Sequence, residues 1–367
     1  MKTVKSEFCL THVMVLLACL SLYLPSQSSH ADIVFSSRPL GPSANLYQIN
    51  DQGTLSKLTN DTTWRDVHGS FSSKQELLFL SNRRDNKKIT LNKQAEVFNL
   101  FIQTKPSAHL FAITQNDNKK RLPAFSPDSK YITYIQNKEN KDELILINRR
   151  TNQSVSILTM DVIFDYSWAQ DNDRIAVATQ HGKQSQLSVL SLTKDRTETL
   201  VHSTLPEQIV STSWSHDGHQ IAFIATKTQP SLRDLSVFDV TANQITRISK
   251  PGQQVQSPVS WSKDSQHLLY SALVDFQFKW NEKTQQKQYQ GAMHIFLSDI
   301  YGKSQQLTQG QHLYNRPVFS PDEKRIAYLY SESLSDTDAT LKTMDTSGKF
   351  QRTLYAPVHG NTSLQWY

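Results

Sequence analysis

The sequence predicts an all-β fold made of repeated units, each with four short antiparallel strands, and two observations support this prediction. First, an aromatic residue, a Ser-x-Asp-type turn and a short apolar strand recur every 43–58 residues along the 367-residue chain. The aromatic positions are Phe71, Phe125, Trp168, Trp214, Trp261, Phe319 and Trp366. Second, two further strand-like segments follow such a hairpin, as LSVFDVT and QITRISK do after Trp214. Four strands with a period in the forties are typical of β-propeller blades.

The chain ends decide the predicted number of blades. Residues 33–38, 45–50 and 55–60 resemble a second, a third and a fourth strand, but no first strand precedes them. Residues 363–366 resemble a first strand with nothing after it. Pairing of the N- and C-terminal strands would complete one blade, close the ring and remove open sheet edges. With six continuous units, this predicts seven blades, and six blades are the alternative.

The repeats resemble the TolB-like, PD40-type (WD40-like) propeller repeat, in which an aromatic-Ser-Pro-Asp-Gly turn precedes an Ile-Ala-Phe strand. Residues 125–128 and 319–322 (both FSPD) match its first four positions, and 217–218 (DG) with 221–223 (IAF) match the rest. The resemblance covers nearly all of residues 32–367 and implies a single propeller domain there. TolB itself is six-bladed and carries an N-terminal α/β domain, to which the resemblance does not extend.

Residues 1–31 have the pattern of a secretory signal peptide. Two early lysines precede an apolar run at 14–24, which is too short to span a bilayer comfortably, and small residues precede a cleavage point after Ala31. We therefore expect a periplasmic or secreted bacterial protein with no transmembrane segment in the mature chain. Both cysteines, Cys9 and Cys19, lie in this leader. The LLAC sequence that ends at Cys19 resembles a lipobox, so a lipid anchor there is the alternative.

Charge and motif content favour a binding or scaffold protein over an enzyme. The formal net charge is +6, which favours an acidic partner, and the spread of the basic residues along the chain does not indicate nucleic acid. The glycine spacing excludes a nucleophile elbow, a P-loop and a dinucleotide-binding loop. We expect no cofactor and no metal, and an envelope protein or an anionic glycan as partner. A lyase-like carbohydrate-active enzyme with a funnel active site is the alternative, because residues from separate blades can meet there.

Candidate binding residues lie where the innermost strand of each blade begins. His68, Asp165 and Arg316 each lie three residues before a repeat aromatic, and Asp66 is close to His68 in sequence. In a propeller the innermost strands line the central funnel, so we expect these side chains to point into it. The alternative is that they are solvated or paired with neighbouring side chains.

Two long insertions separate the predicted second and third strands of their blades. They cover residues 84–97 and 274–292, and both contain several lysines. The second insertion also carries four aromatic residues: Phe276, Phe278, Trp280 and Tyr289. Loops between strands two and three share a face with the funnel mouth, and exposed aromatic clusters often mark interfaces. We therefore predict that a partner docks on this face, with packing over the blade edge as the alternative role of the aromatics.

Overall fold

The computed structural model describes residues 32–37, 43–83, 96–104, 109–194, 196–205, 207–227, 232–283, 285–334 and 336–367. These residues form 28 β-strands and no helix, so none of the described elements is a helix able to cross a membrane. The predicted leader at 1–31 lies outside the described residues. The all-β prediction is confirmed.

The strands fall into antiparallel sets of four that follow the chain order. The first set contains β1 (Asp32–Ser37), β2 (Asn45–Asn50), β3 (Leu55–Lys57) and the terminal β28 (Gln365–Trp366). The second contains β4 (Asp66–Phe71), β5 (Leu77–Ser81), β6 (Asn99–Thr104) and β7 (His109–Ala112). The third contains β8 (Lys119–Phe125), β9 (Tyr131–Lys138), β10 (Lys141–Asn148) and β11 (Gln153–Met160). The fourth contains β12 (Val162–Trp168), β13 (Arg174–His181), β14 (Gln184–Ser191) and β15 (Arg196–Thr204).

The remaining strands continue the same pattern. The fifth set contains β16 (Gln208–Trp214), β17 (Gln220–Thr226), β18 (Arg233–Asp239) and β19 (Gln244–Arg247). The sixth contains β20 (Gln254–Trp261), β21 (His267–Asn281), β22 (Gln286–Asp299) and β23 (Ser304–Gln306). The seventh contains β24 (Leu313–Phe319), β25 (Arg325–Ser331), β26 (Asp338–Asp345) and β27 (Arg352–His359). One parallel pairing, Met293 with Leu313, joins the last two sets into a single eight-stranded sheet.

Burial within a set falls from its second strand to its fourth. All five residues of β5 (LLFLS) are buried, because neighbouring sheets cover both faces of this strand. The four residues of β7 and the four of β19 are exposed. Short, exposed outer strands of this kind limit unwanted pairing at a sheet edge.

The hydrophobic core is divided into clusters that lie between successive sets. Leu78 and Leu80 of the second set pack with Ile132 and Tyr134 of the third, for example. A comparable cluster joins the seventh set to the first, where Leu329 packs with Ile33 and with Trp366 of β28. Each sheet is therefore stabilised mainly by burying its faces against its two neighbours.

The insertion at 274–292 differs from the separating loop that the sequence predicts. β21 and β22 have 15 and 14 residues, and they stay paired as far as Asn281 and Gln286. The inserted residues therefore lengthen the two strands into a projecting hairpin, with a register shift between Val274 and Gln277. Most of the other predicted insertion, residues 84–95, lies outside the described residues.

The Ser-x-Asp turns share one hydrogen-bond pattern. In the third set, Ser126 Oγ donates to Asp128 Oδ1 at 2.8 Å and accepts from the Tyr131 amide at 3.0 Å. The Lys130 amide donates to the same carboxylate oxygen at 3.0 Å. The pattern recurs at Ser215/Asp217, Ser262/Asp264 and Ser320/Asp322. The turn therefore satisfies its own polar groups, as a structural motif should.

Neighbouring turns are also linked to each other, which explains a departure from the glycine of the repeat. Ser129 and Ser265 occupy the glycine position with positive φ angles of 58° and 59°. Ser129 Oγ accepts from the Ser73 amide and Ser265 Oγ from the Asp217 amide, both at 3.0 Å. Asn172, with φ of 62°, accepts from the preceding turn in the same way. A side chain here offsets the cost of the left-handed backbone by accepting a hydrogen bond from the preceding set.

Candidate binding site on the innermost strands

The first strand of six sets is interrupted by a β-bulge at or next to the position predicted to face the funnel. The pairing register shifts at Val67/Ser70, Arg121/Ala124, Ile163/Asp165, Ile209/Ser211, Gln256/Ser260 and Asn315/Val318. His68, Leu122 and Arg316 have positive φ angles of 55°, 51° and 52° at these points. A bulge takes a residue out of the ladder and redirects its side chain, and such strained positions are often found at functional sites.

Arg316 and His68 lie together in the candidate site. Burial lowers the pKa of the Arg316 guanidinium, and Arg316 makes no ion pair or hydrogen bond with any of the described residues. The pKa of His68 is also lowered, first by burial and then by the positive charges of Arg316 and His359. The structure therefore brings together two of the predicted residues, although they belong to the second and seventh sets.

Asp165 has a different environment. Its Oδ2 accepts hydrogen bonds from Ser211 Oγ at 2.8 Å and from the Thr212 amide at 3.1 Å, both on the innermost strand of the next set. Its Oδ1 accepts from the Tyr166 amide at 2.9 Å. Burial nevertheless raises the pKa of Asp165 to about 6, because desolvation outweighs these bonds and the charge of Arg121. Asp165 is therefore hydrogen-bonded to the innermost strand of the next set.

Asp66 is not paired with Arg316 or His68. Its side chain is fully buried, and its Oδ2 lies 2.5 Å from Arg83 Nη2. Burial raises the pKa of Asp66 despite the opposing effects of Arg83, Ser81 and Thr59. Asp66 therefore forms an ion pair within its own set.

The hairpin aromatics are described only in part. Trp280 is 51% exposed and pairs across the hairpin with Lys287. The side chains of Phe276, Phe278 and Tyr289 lie outside the described residues. The exposed indole is an available contact surface, and the predicted role of the aromatics stays a prediction.

Sequence reasoning missed His359, which ends β27 and contributes to the electrostatics of His68. Its Nδ1 accepts from the Asn361 amide at 3.2 Å. A signal was present, because His359 lies four residues before Ser363, the position that the repeat aligns with His68 and Arg316. Among the described residues, no three His, Cys, Asp or Glu side chains are grouped to hold a metal ion.

Residues 88–365 match the family described as the TolB β-propeller domain. The chain belongs to the TolB β-propeller family. No curated protein sequence matches it. This confirms the resemblance read from the repeats, and it identifies the four-stranded sets as consistent with propeller blades.

Solved structures support the same fold for this TolB-type propeller. TolB from Acinetobacter baumannii is similar with a TM-score of 0.51 and 13% identity, over 91% of this chain and 82% of that one. An oligogalacturonate lyase from Vibrio parahaemolyticus has a TM-score of 0.61 and 12% identity, over 87% and 88% of the two chains. A prolyl endopeptidase has a TM-score of 0.62 and 13% identity, over 91% of this chain and 51% of its own. At these identities the likeness concerns the fold alone.

Proposed function

We propose that this TolB-type propeller is an exported binding or scaffold protein that holds a carboxylate of an envelope protein at Arg316. The observation that carries the proposal is the guanidinium itself, which is desolvated and has no partner among the described residues. A buried charge of this kind is costly, and an anionic ligand would offset the cost. The net charge of +6 would favour encounter with an acidic partner.

The proposed scaffold is a closed ring of seven blades. Seven four-stranded sets, the antiparallel pairing of β28 with β1, and the core cluster between the seventh and first sets support it. Arg325 lies 5.4 Å from the ring centre of Trp366, much as Arg174 lies 4.7 Å from that of Trp214. Trp366 therefore has the environment of a repeat aromatic, which the closing blade requires.

Export is proposed from the leader pattern alone. Cleavage after Ala31 would leave residues 32–367 as one propeller domain without cysteine, which suits an oxidising compartment. Mass spectrometry of the mature protein from its native host tests this proposal. An N-terminus at Asp32 is expected, whereas a lipidated N-terminus at Cys19 would replace soluble export with membrane anchoring.

The binding experiment compares two arginine variants. Arg316→Gln should reduce capture of the envelope partner at least tenfold, and the wild-type interaction should weaken as salt is added. Arg150→Gln is the matched control, since Arg150 is exposed and its side chain has no partner among the described residues. Equal capture by both variants would contradict the proposal.

The same experiment separates a protein from a glycan. Oligogalacturonate is added to wild-type protein and to Arg316→Gln, and both binding and chain length are measured. Binding that depends on Arg316, with no protein captured from envelope extract, would identify an anionic glycan instead. Shortening of the oligosaccharide would identify the lyase-like alternative, which at present has only a likeness in fold to support it.

The projecting hairpin is proposed as a second contact surface. A half-exposed Trp280 offers the kind of aromatic anchor that often dominates binding energy. Replacing Phe276, Phe278 and Trp280 together with serine should speed dissociation of the captured partner without changing the melting temperature. Unchanged dissociation would exclude the hairpin from the interface.

A further inference from the structure

A cavity of about 420 Å³ is lined by residues that do not include Arg316 or His68. Its walls come from the C-terminal ends of β4, β8 and β12, from the turns that follow them, and from Gln365 of β28. This volume is within the range of small-molecule sites. Four strands that are distant in sequence converge here, so the cavity is a product of the fold and not of one loop.

The chemistry of the cavity differs from that of the Arg316 site. None of the described residues that line it is an Asp, Glu, Lys, Arg or His. Serine hydroxyls and glutamine amides supply the polar atoms, and aromatic rings supply much of the rest. A charged ligand would lose its hydration without gaining an opposite charge, so the lining favours an uncharged polar ligand.

Three polar groups of the lining have unused hydrogen-bonding capacity among the described residues. Ser70 Oγ is buried and has no partner. Gln365 uses its Oε1 to accept from the Phe71 amide at 2.8 Å, which leaves its Nε2 as a donor. The side chain of Gln170 is exposed at the cavity and forms no hydrogen bond with these residues. A buried hydroxyl without a partner is uncommon and needs an explanation, such as a water or a ligand.

The aromatic wall is held in place before any ligand binds. Trp168 stacks on Tyr131 with ring centres 6.5 Å apart and planes 15° apart, and its Nε1 donates to Thr133 Oγ1 at 2.9 Å. Phe71 packs on Tyr367 with ring centres 4.6 Å apart. Rings fixed in this way lose little conformational freedom on binding, which favours affinity.

From these features we propose that the cavity binds one or two rings of a neutral sugar. A pyranose ring presents C–H groups on its face and hydroxyls at its edge. The face would lie against the aromatic wall, and the hydroxyls would bond to Ser70 Oγ, Gln365 Nε2 and the Gln170 amide. This site is independent of the carboxylate site at Arg316.

The test uses maltose, cellobiose and N,N′-diacetylchitobiose as probes, with saturation-transfer NMR and calorimetry on the full-length protein. At least one probe should bind saturably and receive magnetisation from aromatic protons. The Ser70→Ala/Gln170→Ala variant should weaken that binding at least tenfold. Ser271→Ala/Gln244→Ala is the matched control, because Ser271 Oγ is also buried without a partner and Gln244 is exposed, both away from the cavity.

Arg316→Gln should leave sugar binding unchanged, which separates this proposal from the carboxylate site. Transfer from aromatic protons in the wild type needs no variant, so the test stands even if the double substitution impairs folding. The proposal would be overturned by the absence of saturable binding of all three sugars at millimolar concentration. It would also be overturned by equal effects of the two double variants, or by a neutral tripeptide that binds this cavity when the sugars do not.

Discussion

Charged side chains have different environments at the bulges of the innermost strands (the bulge end) and at the Ser-x-Asp turns that follow these strands (the turn end). At the turn end, a carboxylate such as that of Asp264 accepts hydrogen bonds from Ser262 Oγ and the Gln266 amide, and these bonds hold its pKa below the usual range. At the bulge end, burial raises the pKa of Asp165 and lowers that of Arg316. Hydrogen bonds therefore stabilise the ionised form of Asp264 at the turn end, whereas burial disfavours the ionised forms of Asp165 and Arg316 at the bulge end.

The two regions also differ in how constant their residue types are from one set to the next. The turn-end pattern recurs in four sets with the same residue types, as expected of a motif that stabilises the fold. A bulge also interrupts the first strand of each of these sets, yet the residue at or next to it changes from His68 to Asp165 to Arg316. Ionisable side chains whose charged form is disfavoured by burial are common at functional sites, which is why the bulge residues are the proposed binding residues.

The largest change in stability is expected for Trp366 of β28, the innermost strand of the proposed closing blade. Trp366 is 8% exposed, packs against the seventh set, and pairs with Ile33 of β1. Trp366→Ala should lower the free energy of unfolding by about 3–5 kcal/mol, because it removes a large buried ring and leaves a cavity. Urea unfolding at pH 7 measures the change.

Trp280→Ala is the matched control, since its indole is 51% exposed on the projecting hairpin. It should cost less than about 1 kcal/mol, as is usual for a surface position. Equal losses in the two variants would mean that the terminal strand does not belong to the common core.

The fold was predictable because its signals are local and repeated. The spacing of the repeat aromatics and the Ser-x-Asp turns predicts four-stranded units, and the family match and the sheets bear this out. The hydrogen bonds between turns were not predictable, because the side chains of Ser129 and Ser265 bond to turns about fifty residues away. Only a three-dimensional structure places such residues together.

The sequence could align the candidate residues to the repeat but could not show their contacts, and their role as a binding site stays a prediction. Alignment to the repeat aromatics selected His68, Asp165 and Arg316, and each lies at or next to a bulge. Sequence alone could not show that Asp165 is bonded to Ser211 while Arg316 has no such partner among the described residues. Those outcomes depend on contacts between blades, which periodicity does not encode.

The second largest change in stability is expected when Asp165 is replaced. Its pKa is raised to about 6 from 3.8, so the folded protein binds this proton more tightly than the unfolded chain does. Folding is therefore favoured at low pH, and stability from this group is lost as the pH rises through about 4 to 6. Asp165→Asn removes the ionisation, but its amide nitrogen cannot accept the hydrogen bond from the Tyr166 amide. The free energy of unfolding at pH 7.5 should therefore rise by about 1–2 kcal/mol relative to wild type, which is less than the pKa shift alone would give.

The gain should shrink when both proteins are unfolded in urea at pH 4.5, because wild-type Asp165 is then protonated in the folded state. Ser211→Ala removes a hydrogen bond to the carboxylate and should enlarge the pH dependence of the wild type. A difference between Asp165→Asn and wild type that is the same at both pH values would show that burial does not control this group.

The smallest change in stability is expected at the turn end, where replacing Asp264 should destabilise the protein instead of stabilising it. The pKa of Asp264 is lowered, first by the hydrogen bond from Ser262 and then by that from the Gln266 amide, so its stabilising contribution is present above the unfolded pKa. It is lost as the pH falls through the lowered folded pKa. Asp264→Asn should lower the free energy of unfolding by about 1 kcal/mol at pH 7, the usual net value of a hydrogen bond, and by less at pH 3.

Ser262→Ala removes the donor of the same bond, so the double variant should lose less than the sum of the single losses. Strict additivity would mean that Asp264 and Ser262 act separately, and the contrast with Asp165 would then rest on burial alone.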